Sequence, residues 1–190
     1  MKKQNIIILI VAALVVLLFS VGPVAAEETK TEFSGLRNFI RIVDAGFSHV
    51  SNDGVIHVRD RVVEFEIVTD DPSVTGTQTI IPNSDLGPFD GGVARSGPTY
   101  GTFSIVLNGD KKPSWEGTFS GYGYTDGYWY HTYVGYGKRQ FEGLRLYAFS
   151  EVIDPGPNPP SRTWSVYGYI LGSNDNGEED EEENWTGFGF

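Results

Sequence analysis

The chain of 190 residues contains no cysteine, which excludes disulfide bonds, thiol nucleophiles and metal sites with cysteine ligands. It has only three histidines, His49, His57 and His131. No two of them have the i,i+2 spacing of a strand or the i,i+4 spacing of a helix, so a zinc site would need distant segments to converge. We therefore expect packing or surface histidines and no metal.

Positive charge is also scarce, since 14 Lys and Arg face 25 Asp and Glu for a net charge of −11. Nucleic acid is a poor partner for such a chain, because neutralising phosphates requires Lys and Arg. The Gly-x-Ser-x-Gly motif of hydrolases is absent. Gly135-Tyr136-Gly137 lacks the third glycine and the strand-turn-helix context of a dinucleotide loop. The sequence predicts no cofactor.

The N-terminal segment has the three parts of a secretory signal. Lys2 and Lys3 precede an apolar run from Ile6 to Phe19, and small residues end the segment at Ala26. The run is shorter than the roughly 20 residues that span a bilayer. We predict a helical signal peptide over residues 1–26, cleaved after Ala26. The alternative is a retained anchor. Cleavage would make the protein secreted or extracytoplasmic, in a periplasm or at the cell exterior, with no stable membrane insertion.

The C-terminal segment has a different composition from the rest of the chain. Glu178 to Glu183 are six consecutive acidic residues, and such a block repels itself. We expect residues 173–190 to form an acidic, disordered tail. The three aromatic residues at its end are either incidental or part of a short docking strand. The remaining residues, 27–172, are predicted to form one domain.

This domain shows the period of two that is typical of half-buried strands. Val63, Phe65 and Ile67 share one face, and Glu64 and Glu66 share the other, which we expect to be solvated. The candidate strands are 36–43, 55–59, 63–67, 77–81, 102–107, 114–124, 128–136, 141–151 and 163–171. Turn residues at 52–54, 108–110 and 125–127 predict hairpins. Short, evenly spaced strands favour a sandwich or a closed antiparallel barrel, and closure removes the sheet edges.

The most patterned region runs from Gly101 to Glu151. It contains a G-x-F strand at 101–103, a W-x-G-x-F-x-G strand at 115–121 and a G-x-G-x(3)-F-x-G-L strand at 135–144. This order resembles the allene oxide cyclase-like barrels and, more distantly, the plant dirigent proteins. The resemblance implies an all-β fold, an antiparallel eight-stranded closed barrel of the calycin-like type. It also implies an apolar cavity and, in some members, a trimer. No catalytic residue of the cyclases can be placed on this sequence.

Several residues of the patterned region are candidates for ligand binding. Trp115, Gly117, Phe119 and Gly121 share one face, and alternating large and small residues fill the interior of a narrow barrel. We predict that the following residues bind a ligand: Trp115, Glu116, Phe119, Tyr130, Arg145 and Tyr147. The dense tyrosines of residues 122–136 suit either a ligand or sugar surface, or ordinary cross-strand pairing.

Three functions follow from these observations. The first is a secreted calycin-like barrel that binds a small apolar ligand in its cavity, since a barrel of this size can hold one small ligand. The second is a cyclase or isomerase of the resembling family, with polar groups from Glu116, Arg145 or Tyr147. The third is an eight-stranded outer-membrane barrel, which the export signal and the alternating aromatics allow, although strand 63–67 is short for it. We prefer the first, and whether the protein is an enzyme stays open at this point.

Overall fold

The structure, a computed structural model, describes residues 28–87, 96–125, 127–154 and 163–173. The predicted signal peptide and acidic tail lie outside these residues. The strands are β1 (Glu28–Asp44), β2 (Phe47–Val50), β3 (Ile56–Arg59), β4 (Val62–Thr69), β5 (Gly76–Leu86), β6 (Gly97–Leu107), β7 (Trp115–Gly123), β8 (Trp129–Gly137), β9 (Arg145–Asp154) and β10 (Thr163–Ser173). A single 3₁₀ turn, Arg139–Phe141, is the only helical element of the described residues.

Eight strands close into a barrel through antiparallel ladders. Its order is β1-β4-β5-β6-β7-β8-β9-β10, and β10 returns to pair with β1 over eleven positions, from Glu28↔Ser173 to Asn38↔Thr163. Each neighbouring pair is antiparallel, which removes the free edges that an open sheet would expose. This confirms the predicted all-β, closed eight-stranded barrel. Within the described part of the chain, no helix has the length and apolar character needed to cross a membrane.

The remaining two strands extend one end of the barrel. β2 and β3 form a hairpin, and β3 pairs with the last residues of β5, beyond the point where β4 begins. The chain bends at Gly46 and at Asp60, which have φ angles of 61° and 54°. A Cβ on Gly46 would lie 2.1 Å from the carbonyl oxygen of Arg59, so the two bends are in close contact. β2 was not predicted from the sequence, because the bend at Gly46 interrupts the alternation of apolar and polar residues just before it.

The barrel interior is filled by large side chains set against glycines. Trp115 and Phe119 point inward and are buried. A Cβ on Gly117 would lie 2.0 Å from the carbonyl oxygen of Val134 and 2.9 Å from the ring of Phe103, so a side chain at this position would meet both. The predicted alternation of large and small residues over 115–121 is therefore confirmed. It brings the strands close together and leaves the interior narrow.

One strand was predicted to begin too early along the chain. Residues 141–151 were expected to be extended, but Phe141 belongs to the 3₁₀ turn and β9 begins at Arg145. The turn contains a residue with positive φ, Arg139, and is followed by a second, Gly143. The Phe141 side chain packs against the core from this turn, which explains why its apolar character resembled that of a strand residue.

Candidate functional site

The interior of the barrel was the expected ligand site. A cavity among its described side chains has a volume of about 10 Å³. That is room for one water molecule, since a water needs about 10–15 Å³ by this measure. Aromatic rings take up most of the interior, with Phe103 against Tyr133 at 5.2 Å and Phe119 against Tyr133 at 5.6 Å between centroids. The interior thus offers no volume for an organic ligand.

The six residues predicted to bind a ligand divide between the two faces of the barrel wall. Trp115 and Phe119 point inward and belong to the core. Glu116, Tyr130, Arg145 and Tyr147 alternate with inward residues and so lie on the outer face. The structure therefore does not bring the six together at one site.

Trp115 has a packing role at the end of the barrel that carries the turn of residues 70–75. Its exposure is 0 %, and its indole N–H donates a hydrogen bond of 2.7 Å to the carbonyl of Ser73 in that turn. Phe141 stacks on it at 5.1 Å with an interplanar angle of 23°. Trp115 therefore joins the β4–β5 turn and the 3₁₀ turn to the core.

Glu116 and Arg145 lie exposed on the outer face. The Glu116 carboxylate is 3.3 Å from the ammonium of Lys138, in an ion pair that is half exposed on both sides. The Arg145 guanidinium lies 5.9 Å from the centroid of the Tyr136 ring. Surface ion pairs of this kind contribute little to stability.

A groove with a volume of about 630 Å³ crosses the outer face over β8, β9, β10 and β1. Two aromatic pairs form its walls. Phe149 lies opposite Tyr167, with ring centroids 5.2 Å apart and planes at 41°. Tyr147 lies opposite Tyr169, with centroids 5.1 Å apart and planes at 24°. Side chains two residues apart on a strand point to the same face, so the two pairs stand about 7 Å apart along β9 and β10.

The floor of this groove is backbone. Between the two aromatic pairs, Ala148 lies opposite Gly168, and both are directed to the interior rather than to the groove. The Phe33 ring packs beneath Gly168, where a Cβ would lie 2.8 Å from it. Tyr130 extends the first aromatic row, because it stacks on Phe149 at 5.9 Å with an angle of 17°. Two residues predicted from the sequence, Tyr130 and Tyr147, thus lie at this surface.

Polar groups stand at both ends of the groove. Asp70 accepts hydrogen bonds from the backbone N–H of Ser34 at 2.7 Å and from its hydroxyl at 3.0 Å, and these bonds hold the pKa of Asp70 below its usual value. Glu32 accepts a hydrogen bond of 2.6 Å from Lys30, which lowers the pKa of Glu32. Thr132 lies at the opposite end, beside Phe149. The described lining contains two carboxylates and no Lys or Arg.

The interior also contains a charged residue that sequence reasoning missed. Arg37 has an exposure of 0 %, and its guanidinium lies 3.4 Å from the Phe65 ring centroid, 5.0 Å from that of Trp164 and 5.8 Å from that of Tyr133. One of its terminal nitrogens lies 3.5 Å from Nδ1 of His131. Arginine has only donors, so Nδ1 is the acceptor and the imidazole proton is assigned to Nε2.

His131 is neutral because of this environment. Burial, and then the neighbouring Arg37 charge, hold the pKa of His131 well below its usual range. Its ring stacks on Trp164 at 4.9 Å and 10°. His131 is therefore a packing histidine, as expected from the sequence. In the sequence, Arg37 alternates with Gly35 and Phe39, which indicates that the three share one face of a strand. This pattern is too short to show whether that face points into the barrel or out of it.

The other two histidines meet on the extending hairpin. His49 lies opposite His57 in the β2–β3 register, and their rings stack at 4.7 Å. His57 is 2.7 Å from the Asp85 carboxylate, which Arg59 also contacts at 2.5 Å. These bonds, from Arg59 first and His57 second, lower the pKa of Asp85. Even so, the described residues contain no group of three or more His, Asp or Glu arranged to hold a metal.

In comparisons with known proteins, no family model, no curated protein and no solved structure matched this chain. Membership of the allene oxide cyclase-like family therefore stays a prediction.

Proposed function

We propose that the protein is an exported β-barrel that binds a neutral saccharide in the outer groove across β8, β9, β10 and β1. The observation that carries this proposal is a groove of about 630 Å³ with two aromatic pairs as walls. Its volume lies within the roughly 300–1,000 Å³ of small-molecule sites, which combine apolar walls with a few polar groups. The export signal predicted from the sequence supports an extracytoplasmic ligand.

The chemistry of the lining supports this class of ligand. Tyrosine and phenylalanine rings offer apolar surface for the C–H faces of sugar rings, and the tyrosine hydroxyls add polar tips. The carboxylates of Glu32 and Asp70 are acceptors only, and sugar hydroxyls are the donors that match them. An anionic ligand would face the Asp70 carboxylate, which has no lysine or arginine partner among the described residues, in a chain of net charge −11, although Lys30 pairs with Glu32 at 2.6 Å at the same end of the groove.

The alternatives have less support. A small apolar ligand inside the barrel, and a cyclase acting on an enclosed substrate, both require interior volume, and the cavity there is about 10 Å³. A barrel facing lipid needs an apolar outer band. The middle of the outer faces of β6 and β7 instead carries polar side chains, Thr102, Ser104, Glu116, Thr118 and Ser120, while Tyr100, Val106 and Tyr122 lie at its borders. These residues support a wall that faces water. A homotrimer stays a prediction.

Titration calorimetry with neutral oligosaccharides of several linkages, and with uronic acid oligosaccharides of equal length, tests the proposal. Tyr167→Ala should raise the Kd of the neutral ligand about tenfold, which corresponds to a loss of about 1.4 kcal/mol of binding free energy. Tyr100→Ala is the matched control, since Tyr100 is 45 % exposed and Tyr167 is 47 % exposed, but Tyr100 lies on β6, outside the groove. The proposal fails if no neutral saccharide binds, if uronic acid chains bind better, or if both variants have the same effect.

A further inference from the structure

We infer that the saccharide site extends beyond the groove and takes an unbranched, neutral polysaccharide chain rather than a short sugar. The inference rests on the proposed function and names the ligand class of that same site. It starts at the end of the groove on β8, where Thr132 is part of the lining. From Phe149 the contacts between rings continue onto Tyr130 and then onto Tyr124, neither of which lines the groove.

These rings form a continuous row, because each contacts the next. Ring centroids are 5.2 Å apart from Tyr167 to Phe149, 5.9 Å from Phe149 to Tyr130 and 6.3 Å from Tyr130 to Tyr124. We call these four residues the aromatic row. It passes from β10 through β9 and β8 to the turn that follows β7. Tyr122 packs against Tyr124 at 5.0 Å and widens the far end of the row.

The aromatic row lies open on the outside of the barrel. Tyr167 at one end is 47 % exposed and Tyr124 at the other end is 44 % exposed, while Phe149 and Tyr130 between them are half-buried. Exposed apolar side chains that stand singly are ordinary on protein surfaces. Four rings in contact instead form a continuous apolar surface, which is typical of a binding site.

Hydrogen bonds hold the turn that carries Tyr124. The backbone N–H of Tyr124 donates to the carbonyl of Tyr128 at 2.8 Å, and the N–H of Gly127 donates to the carbonyl of Tyr124 at 3.1 Å. Gly127 has a φ of 86°, which glycine adopts readily. The Tyr128 hydroxyl donates to Glu151, and this bond ties the turn to β9. A surface that is ordered before binding loses less conformational entropy when a ligand binds.

The length and chemistry of the aromatic row select the ligand. Three of its four residues are tyrosines, which combine an apolar ring with a hydroxyl that can donate and accept hydrogen bonds. The pyranose units of an extended chain repeat at a spacing similar to that of these rings, so successive units can meet successive rings. A ligand that fits within the groove does not reach Tyr124. Only a chain of several sugar units can therefore use both the groove and the far end of the row.

Calorimetry with chains of two lengths tests the extent of the site. The probes are the tri- and hexasaccharides of β-1,4-linked glucose, xylose and mannose and of β-1,3- and α-1,4-linked glucose. We expect the hexasaccharide of the preferred series to bind about tenfold more tightly than its trisaccharide. Tyr124→Ala should raise the Kd of the hexasaccharide about fivefold and leave that of the trisaccharide unchanged, whereas Tyr167→Ala should raise both.

The matched control removes an exposed tyrosine outside the aromatic row. Tyr136 is 53 % exposed and lies at the other end of β8 from Tyr130, outside the groove lining. Tyr136→Ala should change neither Kd. If the two lengths bind equally and only Tyr167→Ala weakens them, the extended site is refuted while the groove remains a site for short sugars. If none of these saccharides binds, the proposed function and this inference both fail.

Hydroxyl-radical footprinting read by mass spectrometry locates the chain on the wild-type protein, so it does not depend on the folding of a variant. The hexasaccharide should protect both Tyr167 and Tyr124 from oxidation, and the trisaccharide should protect Tyr167 alone. A hexasaccharide that binds without protecting Tyr124 would overturn the inference.

Discussion

Replacement of Trp115 tests how the barrel end is held together. A buried Trp→Ala change costs about 3–5 kcal/mol, and an indole buries about 150–250 Å². Because Trp115 is completely buried, we expect Trp115→Ala to lower the free energy of unfolding by about 4 kcal/mol. Trp115→Phe preserves an aromatic ring against Phe141 but removes the donor to Ser73. The lost hydrogen bond and a small void should cost about 2 kcal/mol.

Urea unfolding followed by far-ultraviolet circular dichroism measures both changes. The slope of free energy against urea should stay constant, so that the midpoint alone reports stability. Trp129→Phe is the control, since Trp129 is half buried at the opposite end of the barrel, and it should cost less than Trp115→Phe. If Trp115→Ala costs under about 1 kcal/mol, the indole is not part of the core. Equal costs for the Phe and Ala variants would show that the bond to Ser73 contributes little.

Three further variants test other contacts. Gly117→Ala places a methyl against a backbone oxygen, and overpacking should lower stability by about 1–3 kcal/mol in the same urea assay. Because the pKa of Asp85 is lowered in the folded protein, its ionised carboxylate stabilises the fold fully at a pH above the ordinary carboxyl pKa. This stabilisation is lost as the pH falls from there through the lowered pKa. Asp85→Asn should therefore flatten the acid limb of melting temperature against pH. The Tyr128 hydroxyl donates a hydrogen bond to Glu151, which raises the pKa of Tyr128 to about 12. This hydrogen bond therefore stabilises the folded protein below pH 10, and the stabilisation is lost as the pH rises towards 12. In an alkaline absorbance titration Glu151→Gln should bring this late tyrosine step nearer pH 10.

The fold could be predicted because strand period and turn chemistry act locally. The predicted strands 114–124 and 128–136 correspond to β7 and β8 within one residue at each end, since both segments are rich in aromatic residues and the turn residues at 125–127 separate them. β1 was predicted to begin at residue 36 but begins at Glu28. Its first residues have weak alternation, and long-range pairing with β10 makes them extended.

The candidate site was harder to predict, because a period of two identifies two faces but not which one is inside. Tyr147 and Phe149 have the aromatic character of core residues, yet they lie outside, and the small residue between them, Ala148, faces inward. Arg37 is the opposite case, a charged residue on the inner face. Aromatic rings from β4, β8 and β10 offset part of the cost of burying its charge, and no local pattern reveals such a long-range arrangement.

The closure of the barrel by β1 and β10 has a consequence for folding and for chain connectivity. Every other ladder of the ring joins strands that follow each other directly or across the β2–β3 hairpin, while this one joins residues that are 125 to 145 positions apart in the sequence. Contacts between residues so distant in sequence form slowly, so we expect the β1–β10 ladder to form last during folding. The same pairing places Glu28 beside Ser173. A circular permutant in which these two positions are linked and the chain is opened at Gly109 should keep all the ladders. In this permutant β10 and β1 are neighbours in sequence, so their ladder becomes a local hairpin that we expect to form early.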